Sequence, residues 1–73
     1  MSEIGLIFMY MGNEFKIIHK DDKKNRINIE AIGDNYYLPE INDKIEIEKI
    51  IFKVIYVHKG KKRISLELVR KGE

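Results

Sequence analysis

Two groups of cations are the residues of this chain best placed to do chemistry: Lys23, Lys24 and Arg26 in one, and Lys59, Lys61, Lys62 and Arg63 in the other. Each group interrupts alternating apolar sequence, so each reads as a hairpin tip whose side chains could neutralise phosphates on a polyanion. The rings of Tyr36 and Tyr37, in a connecting segment, would offer faces on which unpaired bases stack. Asp21 and Asp22 stand beside the first group, so the second is expected to be the stronger. The plainer reading of the same residues is that lysine-rich tips keep a small β-protein soluble and discourage edge pairing.

Catalytic chemistry finds less support. His19 and His58 are the sole histidines, and no Cys or carboxylate cluster flanks them at metal-ligand spacing. Ser65 lies mid-strand without a neighbouring base, and Gly60-Lys61 lacks the rest of a phosphate loop. The expectation is a protein that is not an enzyme and takes neither metal nor cofactor.

Composition narrows the class. A chain of 73 residues has room for one domain with a thin stability margin, and with no Cys nothing can be stapled by disulfides. A reducing cytoplasm is the expected compartment. The apolar run from Ile4 to Met11 is too short to span a bilayer, so a membrane location is not expected. Charge is uneven: residues 1–48 carry six Lys/Arg against ten Asp/Glu, and residues 49–73 carry eight against two. The C-terminal part is therefore the candidate for meeting nucleic acid.

The elements that would position these residues show when the chain is slid against itself by 37 residues. Over 15–32, seven of eighteen residues are identical to those of 52–69 without a gap, and most other apolar positions exchange among Ile, Val and Leu. The period is two, which predicts strands near 4–10, 15–20 and 26–32, repeated at 43–48, 52–58 and 63–69. Tight turns are expected at Gly12-Asn13 and Lys49-Ile50, looser tips at 21–25 and 59–62, and a connection through Pro39 to about Asp43. The two units would cover about 1–36 and 38–73 of a single domain.

A hairpin centred on Gly60 pairs Phe52 with Leu68, Val54 with Leu66 and Tyr56 with Ile64 on the inner face, and Lys53 with Glu67 on the outer. The first unit gives Phe15 with Ala31, Ile17 with Ile29, Lys16 with Glu30, and His19 inward opposite Ile27. Phe8, Tyr10, Ile45 and Ile47 continue the inner face. Two such meanders bury their apolar faces only against each other, which predicts an all-β, six-stranded barrel or sandwich with an internal two-fold. Ile7, Met9, Ile18, Ile55, Val57 and Val69 then point outward, and of these Ile18, Ile55 and Val57 are the expected partner-binding residues. The leading functional expectation is a barrel that binds RNA or single strands, since no helix is present to enter a major groove. The alternative is a protein-interaction module or homodimer built on the apolar outer face.

Overall fold

The computed structural model describes residues 4–33 and 37–71, the side chains of 70 and 71 excepted. Strands β1 (Ile7–Tyr10), β2 (Asn13–Asp21), β3 (Arg26–Ala31), β4 (Lys44–Ile47), β5 (Ile50–His58) and β6 (Arg63–Lys71) form one antiparallel sheet in the order β1-β2-β3-β6-β5-β4. The sheet rolls into a small, nearly closed barrel. No helix among the described residues is long and apolar enough to cross a membrane.

The period of two is what makes one face of this sheet a core. Phe15 and Ile17 of β2, Ile27, Ile29 and Ala31 of β3, Ile45 and Ile47 of β4, Phe52 and Val54 of β5, and Ile64 and Leu66 of β6 are all buried. Each large side chain withdrawn in this way contributes roughly 1.5–3 kcal/mol. Phe8 and Tyr10 of β1 are half-buried at the margin, with Phe8 stacked on Phe15 at a centroid separation of 5.9 Å. Leu38 packs on the core and Pro39 is buried, so the connection from β3 to β4 is part of the packing rather than a loose linker.

The expected register holds through Phe15–Ala31, Lys16–Glu30 and Ile17–Ile29, and through Phe52–Leu68, Lys53–Glu67 and Val54–Leu66. It then breaks in both hairpins. The pairing shifts between Ile17 and His19 and between Val54 and Tyr56, so Ile18 and Ile55 are each the extra residue of a bulge, and a further shift between Ile51 and Phe52 leaves Val69 of β6 as an extra residue in the second hairpin alone. A bulge places two residues opposite one and flips every later side chain to the other face. His19 therefore pairs with Asn28 and not Ile27, and Tyr56 pairs with Ser65 and not Ile64. Val57 takes the inward place opposite Ile64 and packs on the core.

The tight turns also sit one residue earlier than expected. Tyr10 pairs with Asn13 and Ile47 with Ile50, leaving Met11-Gly12 and Glu48-Lys49 as the two-residue loops. All four loop residues have positive φ (53°, 80°, 50° and 67° in chain order), the hairpin geometry whose twist matches that of the strands. Gly12 adopts it at no steric cost, and Asn13 supports the loop by donating from Nδ2 to the Met11 carbonyl at 3.1 Å. Glu48 and Lys49 have no such relief.

At the centre of the sheet, β3 and β6 pair symmetrically about Asn28 and Ser65, with Ile27 opposite Leu66 and Ile29 opposite Ile64. The tips are tied into this pair at opposite ends. Leu68 donates to the Asn25 carbonyl at 2.7 Å, and Ala31 donates to the Lys62 carbonyl at 2.9 Å. Asn25 and Lys62 close the two tips with matching φ of 56° and 58°.

The loop over Glu48-Lys49 generates a stability prediction. Left-handed backbone costs a non-glycine residue roughly 1 kcal/mol, so Glu48→Asn combined with Lys49→Gly should stabilise the domain by about 1 kcal/mol. Urea unfolding should show a raised midpoint at unchanged slope. A lowered midpoint would mean that the Glu48 and Lys49 side chains make a contact outweighing the backbone strain.

Candidate functional site

The bulges at Ile18 and Ile55 act on the outer face as well as on the core. By reversing the face of every later side chain on their strands, they bring His19 of β2, Asn28 of β3, Ser65 of β6 and Tyr56 of β5 into one row across four strands. Ser65 Oγ lies 2.8 Å from Asn28 Oδ1 and donates to it, which leaves the Asn28 amide nitrogen as a donor beside the row. Around the row is an open cleft of about 280 Å³ lined by His19, Asp21, Lys24, Arg26, Asn28, Ile55, Tyr56 and Ser65. Tyr56 is 54% exposed and meets the His58 ring edge-on at 5.9 Å. A held but accessible aromatic face, next to cations and amide donors, suits the stacking of a planar ring and the pairing of an anion.

The expected basic residues are not gathered in one patch. Lys23, Lys24 and Arg26 lie at the β2–β3 tip, while Lys59, Lys61, Lys62 and Arg63 lie at the β5–β6 tip, at the other end of the β3–β6 pair. Lys24 and Arg26 reach the cleft directly. Lys59 and Lys61 are exposed on a 3-10 turn over Lys59–Lys61. Lys62 is half-buried, and its ammonium donates to the Gly33 carbonyl at 3.0 Å, so it serves the fold.

The arginines are partly neutralised. Arg26 Nε meets Glu67 at 3.5 Å and Arg63 Nε meets Glu30 at 3.3 Å, both across β3–β6. Lys16 and Lys53 stand beside these glutamates in register as expected, but it is the arginines that hold the carboxylates. Such exposed pairs are worth at most about 1 kcal/mol and yield readily to a better anion. At the first tip, Asp22 pairs with Lys20 at 3.7 Å, and Asp21 accepts from the Lys24 backbone at 3.3 Å. The two aspartates are thus engaged by Lys20 and by the turn, not by the Lys23 and Lys24 ammonium groups.

The expected stacking residues fare differently. Tyr36 lies outside the described residues. Tyr37 is 43% exposed, its ring 6.5 Å from that of Tyr10 and away from the residues that line the cleft. Burial first, then the nearby Asp43 carboxylate and Tyr37, push the Tyr10 hydroxyl above its ordinary range. The ring available to a ligand at the cleft is instead Tyr56, placed inward by uninterrupted alternation and turned out by the bulge. The Val54-Ile55 doublet, with Val57 resuming the apolar pattern one residue late, is the sequence signal that the phase changes there. For the same reason Val57 is corrected from an outward, partner-binding residue to a core-packing one. Ile18 and Ile55 are half-buried at the bulges and do not form an exposed patch together with it. Among the described residues, no group of three or more His, Asp or Glu side chains is arranged to hold a metal ion.

The bulge at Ile55 reverses the expected cost of two neighbouring substitutions. Tyr56→Ala should change unfolding free energy by no more than about 0.5 kcal/mol, whereas Val57→Ala should cost about 1 kcal/mol or more. Chemical denaturation of the two variants checks this, and the opposite order would place Tyr56 in the core. No family model, curated protein or solved structure matches this chain, so its functional surface is read from its own geometry.

Proposed function

We propose that this protein is a non-catalytic barrel that binds single-stranded nucleic acid along the outer face of β2, β3, β6 and β5. The observation that carries the reading is the exposed Tyr56 ring in a cleft with Lys24 and Arg26, with the cations of the second tip at the other end of the β3–β6 pair. Between Arg26 and Arg63 the β3–β6 ladder is about 14 Å long at the usual rise per residue, so the face offers a track for a few nucleotides. Lys24 and Arg26 would hold phosphate at one end, Lys59, Lys61 and Arg63 at the other, and a base would stack on Tyr56 between them. The sheet face is too shallow and too broad for a duplex groove, and a splayed strand presents both its bases and its backbone to such a surface.

Duplication of a three-stranded unit is the origin that best accounts for this track. Supporting it are the bulges at Ile18 and Ile55, the left-handed residues Gly5 and Asn42, Met11 and Glu48, Gly12 and Lys49, and Asn25 and Lys62. Every one of these pairs is 37 residues apart, the same offset that aligns the sequence on itself. Doubling the unit would double the basic tip and set the copies at opposite ends of one face.

Binding is measured by fluorescence anisotropy with labelled single-stranded RNA and DNA over a series of salt concentrations. Lys59→Ala with Lys61→Ala should weaken binding to any sequence and flatten the slope of log affinity against log salt by roughly 0.7 for each phosphate no longer neutralised. Tyr56→Ala should weaken binding by about 1–3 kcal/mol with little change in that slope. Absence of salt-sensitive binding by the unaltered protein at low ionic strength would end the nucleic-acid reading.

A further inference from the structure

The sheet has two edges, β1 and β4, and they are built to opposite rules. On β4 and its loop the outward side chains are Lys44, Glu46 and Glu48, all exposed and all charged. At the matching positions of β1 stand Ile7, Met9 and Met11, exposed by 53%, 61% and 66%, with Ile4 at 62% just before them. Charge on an edge strand blocks pairing with another chain, and its absence invites it. The same fold therefore protects one edge and leaves the other apolar.

We infer that β1 is a self-association edge, taken up by β1 of a second copy in antiparallel pairing. The backbone is in phase for it. A two-residue loop makes Tyr10 and Asn13 a hydrogen-bonded pair, and alternation along the ladder makes Phe8 and Phe15 the next one. The N–H and C=O groups of Ile7 and Met9 then point away from β2, toward an edge that no described strand pairs. Pairing two copies about Phe8 sets Ile7 opposite Met9 of the second copy and forms two such reciprocal pairs.

Charge selects the same occupant and orientation. Lys16 flanks Ile7 and Glu14 flanks Met9 on the outer face of β2. In the antiparallel arrangement each cross-strand row runs Lys16, Ile7, then Met9 and Glu14 of the second copy, so its ends carry opposite charges. Parallel addition would set Lys16 against Lys16. Four apolar side chains at on the order of 100 Å² each bury roughly 800 Å² over both copies, short of the ~1,200 Å² of a standard interface. The dimer is accordingly weak and concentration-dependent, and the nucleic-acid face is left open on both copies.

Sedimentation equilibrium of the unaltered protein from about 10 μM to about 1 mM should show a monomer–dimer equilibrium. Ile7→Lys with Met9→Lys, which sets like charges opposite one another across the paired strands, should weaken it at least tenfold at an unchanged thermal melt. A monomer at about 1 mM, with the edge then covered by other residues or by a different protein, overturns the inference, as does a variant that dimerises like the original. Should the charged variant fail to fold, cysteines decide: the chain has none of its own. Ile7→Cys with Met9→Cys should oxidise to covalent dimers and Lys44→Cys with Glu46→Cys should not; equal cross-linking of the two edges, or none, overturns it.

Discussion

A sheet with one apolar face and only six strands must curl to hide that face, and the rest of this protein depends on how it curls. Phe15, Ile17, Phe52 and Val54 sit on the two long strands just before the bulges at Ile18 and Ile55. Bulges increase local twist and bend the strand that carries them, so the sheet closes over its core where the extra residues are inserted. The central β3–β6 pair needs no bulge, because it lies between the two bends and is held by its own ladder and by the Ser65–Asn28 hydrogen bond. A chain of this size has little stability to spare, which makes the placement of those two residues decisive.

The same constraint shapes the outer face. An inserted residue moves one side chain out of the core for each one it moves in. Here the exchange puts Val57 inside and leaves Tyr56 and His19 on the surface, on either side of Asn28 and Ser65. The cleft is thus a by-product of closure that the basic tips can use. Ion pairing of Arg26 with Glu67 and Arg63 with Glu30 keeps this face near balance while leaving Lys23, Lys24, Lys59 and Lys61 as its outlying cations.

Alternation makes the strands, the core and most of the register legible in the sequence, because a half-buried strand can satisfy its core in only one phase. Phe15 against Ala31 and Phe52 against Leu68 follow from that alone. The bulges were not legible from residue type, since Ile18 and Ile55 are ordinary strand formers and neither is a glycine. What did carry the information was phase: Ile17-Ile18 and Val54-Ile55 are apolar doublets, and Val57 resumes the pattern one residue late. The turn at Glu48-Lys49 was hidden for the opposite reason, because twist matching imposes left-handed backbone on residues that do not favour it. The asymmetry between the edges was written in Ile7 and Met9 against Lys44 and Glu46, yet only the strand order shows that these residues stand on edges.

The proposed function puts a nucleic acid on the outer face around Tyr56, and not on the barrel ends or the β1 edge. Amide chemical-shift mapping during titration with a short single-stranded RNA tests it residue by residue. The account predicts shifts that run from Lys24 and Arg26 through His19, Asn28, Ser65 and Tyr56 to Lys59 and Lys61. Shifts confined to β1 or to Tyr37 and Tyr10, or a spectrum that the RNA leaves unchanged, would contradict it.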